Sequence, residues 1–135
     1  MEKQIQEAML KEHKRIEEML VELETSCDAV KLNELKWNVQ KHFFIEENAV
    51  FSLYTPATEL EVENVDQILR EHETIMSLIE QVELDFNVGE VEKIIGLLRS
   101  HARFEDERFY PALDEQLDDV AKKKIIGRVE EIVRG

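Results

Sequence analysis

HFFIEE, residues 42–47, and HARFEDE, residues 101–107, each set a glutamate four residues after a histidine. The chain has only four histidines in 135 residues, so a shared spacing in two of them invites reading outward. On a helix, residues i and i+4 lie about 40° apart and roughly 6 Å apart along the axis, so imidazole and carboxylate project to one side. The first stretch continues an apolar stripe of Leu32, Leu35, Val39, His42, Glu46, Ala49 and Leu53. The second continues Val91, Ile94, Leu98, His101 and Glu105. Steps of three and four mark amphipathic helices.

The other two histidines fall on stripes of the same kind. One runs Ile5, Met9, His13, Ile16, Leu20, Leu23, and the other Val65, Ile68, His72, Ile75, Ile79, Val82. Breaks between the stripes carry helix-start chemistry. TSCD (25–28) offers Ser26 or Asp28 as an N-cap, YTPAT (54–58) pairs Thr58 with Glu61 as a capping box, and NVG (87–89) pairs Asn87 with Glu90. Pro111 is expected to stop or bend the fourth helix. Short connections between such helices give an all-α, up-down-up-down four-helix bundle over about residues 1–112. A short, less regular C-terminal fifth helix comes next over about 114–134, and the whole chain, 1–135, reads as a single domain.

In an antiparallel hairpin, residues equidistant from the turn lie level. The midpoint of His13 and His42 falls between Cys27 and Asp28, that of His42 and His72 at Ala57, and that of His72 and His101 between Phe86 and Asn87. Each midpoint is in a predicted turn, so all four histidines share one layer. A shift of 59 residues also carries His13 onto His72, His42 onto His101 and Glu46 onto Glu105, with Met9, Ile16, Leu20, Leu35 and Val39 landing on apolar residues. The chain is two copies of one helical hairpin about a pseudo-twofold axis.

A single histidine on an apolar face is ordinarily a hydrogen-bonded core residue, and one H-x-x-x-E is a weak match. Here every histidine is level and paired by the repeat, and two buried carboxylates are costly without a cation. Imidazole suits borderline metals and carboxylate adds charge and bridging capacity. His13, His42, Glu46, His72, His101 and Glu105 can therefore hold two metals, with positions left for an oxo or hydroxo bridge and a small exogenous ligand.

One His on helix one, H-x-x-x-E on helix two, His on helix three and H-x-x-x-E on helix four resembles the hemerythrin-like (HHE cation-binding) domain. KEHKRIEEML, HFFIEENAVF, EHETIMSLIE and HARFEDERFYPAL carry the likeness. The resemblance implies two non-haem iron ions, with zinc or manganese as alternatives. Oxygen-carrying hemerythrins place a fifth histidine where this chain has Met76, and use H-x-x-x-x-D on helix four, a spacing that Asp106 meets. On a regular helix i+5 points about 140° away, which favours Glu105 over Asp106. Glu17, four residues after His13, is a further alternative ligand, with a solvated role preferred. In ligand pattern the chain is closest to the di-iron domain of the repair-of-iron-centres proteins, without their small Cys-bearing N-terminal domain.

Phe43, Phe44, Phe104, Phe109 and Tyr110 are expected as core and interface packing rather than a gas channel. Tyr54 and Tyr110 are weaker candidates as partners of a bound oxygen, and Trp37 reads as packing. The net charge of −14 opposes nucleic acid and anionic membranes. The lone Cys27, the absence of a signal-like start and the lack of a long apolar run point to the cytoplasm. Three uses fit: a module binding O2 or NO, a redox protein acting on peroxide or NO or donating iron for repair, and a bundle stapled by structural metal. The residues alone leave open whether the chain is an enzyme.

Overall fold

The structure, a computed structural model, describes residues 4–134. The outermost bounds expected for the bundle and domain, at residues 1 and 135, lie outside the described residues. Four long helices form the bundle: α1 (Gln4–Thr25), α2 (Ala29–Ile45), α3 (Glu59–Leu84) and α4 (Val88–Phe104). Two shorter ones complete the chain, α5 (Tyr110–Gln116) and α6 (Asp119–Arg134). No strand occurs among the described residues.

The helix caps form at the expected breaks. Asp28 accepts from the Lys31 N–H at 2.8 Å and Asn87 from the Glu90 N–H at 3.1 Å. Thr58 accepts from the Glu61 N–H at 3.1 Å, and the Glu61 carboxylate turns back to accept from Thr58 Oγ1 and the Ala57 N–H. Each satisfies amide groups that a helix start leaves without an intrahelical partner.

The apolar core is split by the histidine layer. On one side Ile16, Leu20, Leu35, Val39, Ile79 and Ile94 fill the bundle end near the α1–α2 and α3–α4 turns. On the other, Ile5, Met9, Ile45, Ile68 and Leu113 pack against Ile125 and Val129 of α6, so the last helix closes the second end. Burying a side chain of this size contributes about 1.5–3 kcal/mol. Asp114 ties that end together: its carboxylate accepts from the Ile5 and Gln6 N–H groups at 3.1 Å each, with Lys122 Nζ 3.9 Å away.

Two expectations fail at the helix ends. Pro111, expected to stop or bend the fourth helix, does not stop it: the helical path passes through a π turn (Glu105–Phe109) into α5 and runs to Gln116. The proline sits in the first turn of α5, where its missing N–H costs little. The final helix accordingly starts at Asp119 rather than near 114. In the other half of the repeat a matching π turn (Glu46–Val50) succeeds α2, then a 3-10 turn (Phe51–Leu53). The inserted residue rotates the remaining turn of the chain, so Leu53 is 46% exposed instead of continuing the buried stripe. Trp37 at 61% and Phe44 at 53% exposure are likewise on the surface, not in the packing.

Candidate metal centre

The two π turns begin at Glu46 and Glu105, and they are equivalent under the 59-residue shift. In each, the N–H five residues on, from Phe51 or Tyr110, donates to the glutamate carbonyl. This local widening lets a glutamate and the aromatic residue five positions later share the interior. π turns of this kind concentrate at functional sites because they re-aim side chains at a small cost in helix geometry.

All six expected residues meet in one buried layer. His13, His42, Glu46 and Glu105 present ligand atoms within 4.8 Å of one another, and so do Glu46, His72, His101 and Glu105. The two groups share both glutamates, which are 0% exposed. Every inward histidine atom is Nε2. His13 Nε2 is 3.0 Å from Glu105 Oε1 and 3.2 Å from His42 Nε2, while His72 Nε2 is 3.0 Å and His42 Nε2 3.3 Å from Glu46 Oε1. His101 Nε2 lies 3.5 Å from Glu105 Oε1.

The outer ring nitrogens face a second set of carboxylates that sequence reasoning missed. His13 Nδ1 is 2.7 Å from Asp106, His72 Nδ1 2.9 Å from Glu47 and His101 Nδ1 2.6 Å from Glu71. A carboxylate accepts, so Nδ1 carries a proton and Nε2 is the ring atom left to face a cation. Asp106 is therefore an orienting partner of His13 rather than a member of the inner layer. Glu17 is not there either: it is held by Arg99, which also grips Glu24 across the α1–α4 seam at 2.7–2.9 Å. The repeat carries Glu47 onto Asp106 and Glu12 onto Glu71, so a signal existed. His42 breaks the pattern. Glu12 stays 4.0 Å from its Nδ1 and bonds Arg15 at 2.9 Å instead. Residue 74, the repeat mate of Arg15, is Thr74, which leaves Glu71 free to reach His101.

Tyr110 adds a group that its repeat mate Phe51 lacks. Its hydroxyl donates to Glu46 Oε2 in a close contact and lies 3.5 Å from Glu105 Oε2. Tyr54 is elsewhere, donating to Glu61 at 2.9 Å. Phe43 stacks on His72 with ring centroids 3.8 Å apart. Phe104 is half-buried and Phe109 buried in the α6 end of the core, and Met76 packs at the edge of the other core cluster.

The electrostatics of the layer call for a cation. Burial pulls the His42 pKa down to about 3. Burial opposes charge on His101 too, but Glu105, Glu46 and Glu71 overcome it and push the pKa up to about 10. Burial likewise opposes charge on Glu46, yet His42 and the neighbouring donors hold it well below the usual range. Burial and then the charge of Glu46 drive Glu105 well above that range. Two touching carboxylates cannot both ionise here unless positive charge sits between them. Among the described residues, His101 Nε2 and Glu105 Oε1 are buried with no hydrogen-bond partner, and both point into the layer. Imidazole nitrogens and carboxylate oxygens aimed at a common centre fit a bound metal ion.

The family model described as hemerythrin HHE cation binding domain matches residues 4–113. The chain belongs to the hemerythrin HHE cation-binding family. No curated protein and no solved structure matches it significantly. The match takes in all six inner residues and the outer set Glu12, Glu47, Glu71 and Asp106. No described helix is long and apolar enough to cross a membrane.

Proposed function

We propose that this hemerythrin HHE protein holds two non-haem iron ions and binds or reacts with O2, NO or a peroxide there. The carrying observation is that two four-residue ligand groups overlap at Glu46 and Glu105. One ion would be held by His13 and His42 and the other by His72 and His101, with Glu46 and Glu105 within reach of both. When bound, the ions would supply Lewis acidity and electrons for a ligand that arrives from solution.

The chain's own groups would do the rest. Asp106, Glu47 and Glu71 fix three imidazoles by their outer N–H groups. Tyr110 holds Glu46 by a hydroxyl hydrogen bond and offers a proton donor inside the layer. A pocket of about 440 Å³ between α1 and α4 reaches down to His13, His42 and His101 and gives a ligand its entry. Phe43, which lines this pocket, also stacks on His72. An open approach argues against a metal that only staples the bundle, since structural sites are closed by tight protein ligands.

A second reading, iron donation for the repair of damaged centres, draws support from His42. Its outer nitrogen has no hydrogen-bond partner among the described residues, so its half of the site would hold metal more loosely. The deciding experiment is anaerobic loading with Fe(II), metal analysis, and an optical spectrum on adding O2 and after removing it. Two irons per chain, reduced in a His42→Ala variant, are expected. Failure to take up iron, or uptake indifferent to His42→Ala, overturns the reading. A band that disappears with O2 marks reversible binding, and a persistent change marks redox chemistry or iron supply.

A further inference from the structure

The pocket above the centre is far larger than a diatomic ligand requires. A molecule the size of water occupies about 30 Å³, whereas the pocket offers about 440 Å³. That lies within the roughly 300–1,000 Å³ typical of sites for small organic molecules. Its walls are apolar, from Leu10, Ile16, Leu20, Phe43 and Leu98, and its floor is His13, His42 and His101.

The internal repeat shows that the space is a property of one seam. The 59-residue shift carries Phe43 onto Ala102. In the α2–α3 seam Phe43 lies on His72; in the α1–α4 seam the equivalent residue, Ala102, is a wall of the pocket. The pocket is the volume that an aromatic ring fills in the other half of the molecule.

The mouth differs between the halves as well. Lys14 and Arg103 border the pocket, and their repeat mates are Glu73 and Phe44. Both cations are exposed, and neither has an ion-pair partner among the described residues. Of the acids around the mouth, Glu17 is bound to Arg99 and Asp106 to His13, which leaves Glu107 alone against two free cations. The overall charge of −14 repels anions at long range, but salt screens charges more than about 8 Å away at physiological ionic strength. The lining itself is balanced, with Lys14, Arg99 and Arg103 facing Glu17, Asp106 and Glu107, and Lys14 and Arg103 are its two unengaged cations.

We propose that the α1–α4 pocket binds a small aliphatic carboxylate, its chain along the apolar walls and its carboxylate on Lys14 and Arg103. This deepens the reading of the metal site by naming an organic ligand beside it, but its test reads binding and not metal chemistry. The full metal-loaded chain is titrated calorimetrically with butanoate, hexanoate and octanoate, with octan-1-ol as the neutral comparison and metal content measured on each sample. Affinity rises roughly tenfold for every two carbons, since each buried methylene adds a similar increment. Lys14→Gln with Arg103→Gln weakens octanoate roughly 3- to 30-fold and leaves octan-1-ol unchanged, the range for two exposed charge contacts. Ala102→Phe, which builds the closed seam's ring into the open one, weakens octanoate at least tenfold at unchanged metal content.

No binding by the native chain, equal affinity for octan-1-ol, or an unaffected Lys14/Arg103 variant overturns the proposal. So does undiminished binding in Ala102→Phe. Octanoate binding that survives in a chain unable to take up metal refutes the di-iron reading and leaves this one standing.

Discussion

Glu71 and Glu12 are repeat mates, yet only Glu71 reaches its histidine, and under the proposed di-iron reading the difference should appear as an asymmetry in metal affinity. Glu71 accepts from His101 Nδ1 at 2.6 Å, whereas Glu12 is 4.0 Å from His42 and spends its carboxylate on Arg15. An outer carboxylate fixes ring orientation and raises ligand basicity, and its loss typically costs 10- to 100-fold in metal affinity. That corresponds to about 1.4–2.7 kcal/mol. Glu71→Ala should lose this full amount from the stronger of two binding steps. Glu12→Ala should change the weaker step by less than about threefold, because at 4.0 Å there is no hydrogen bond to lose. Arg15→Ala should do the reverse of a typical deletion: freed from the guanidinium, Glu12 can close on His42 and tighten the weaker step by up to about tenfold. The assay is competition for Fe(II) against a chelator of known affinity under anaerobic conditions, fitted to two steps, with urea unfolding as a check on each variant. Equal losses in Glu71→Ala and Glu12→Ala, or no gain in Arg15→Ala, would refute the idea that these carboxylates differentiate the two halves.

Three other outcomes are expected. Tyr110→Phe removes a buried hydroxyl that donates to a charged carboxylate, so urea unfolding should show a loss of about 1.5–3 kcal/mol; an unchanged midpoint would mean the hydroxyl is not used. Asp114→Ala strips the Ile5 and Gln6 N–H groups at the start of α1 of their acceptor, at a cost of about 1–2 kcal/mol by the same measurement. Glu61 is held below its usual 4.5 by the Ala57 N–H first and by Tyr54, Thr58 and Gln116 as well. A depressed carboxylate stabilises the fold above its unfolded pKa and loses that contribution as pH falls through the folded one. Thermal stability should therefore decline below about pH 4.5, and the decline should be shallower in Glu61→Gln; an identical pH profile would rule the contact out as a stabiliser.

The bundle and its layer were readable because both rest on spacing. Turns of three to five residues force neighbouring helices antiparallel, and the midpoints of successive histidines then fix their height without any knowledge of packing. Features that depend on backbone geometry, or on choice among equals, were not readable. The π turns leave only a faint trace, adjacent buried residues at Ala49–Val50 and at Phe109–Tyr110 where a regular helix would bury one. Missing them let Pro111 be read as a possible stop and Leu53 as buried. The orienting acids Glu12, Glu47, Glu71 and Asp106 obey the repeat, but among 31 acidic residues two more matched pairs do not stand out. Trp37 and Phe44 failed for the opposite reason. Aromatic residues are taken as core by default, while a folded surface carries apolar atoms over about half its area.

The repeat also explains why the molecule is informative where its halves disagree. Symmetry alone would give two equal metal positions behind two equal walls. The inner six residues keep that symmetry, and the changes fall around them: Ala102 for Phe43, Tyr110 for Phe51, Arg15 for Thr74, Lys14 for Glu73. Each acts on one side of the layer. Ala102 and Lys14 belong to the pocket that reaches His13, His42 and His101, Arg15 draws the outer partner away from His42, and Tyr110 lies 6.2 Å from His13 between ring centroids. On the other side His72 is covered by Phe43, and His72 and His101 are both held at their outer nitrogens. Four independent substitutions that converge on one half are hard to ascribe to drift in a solvated surface. They leave His42 without an outer partner and open the pocket beside His13, while His72 lies under Phe43 with its outer nitrogen held by Glu47.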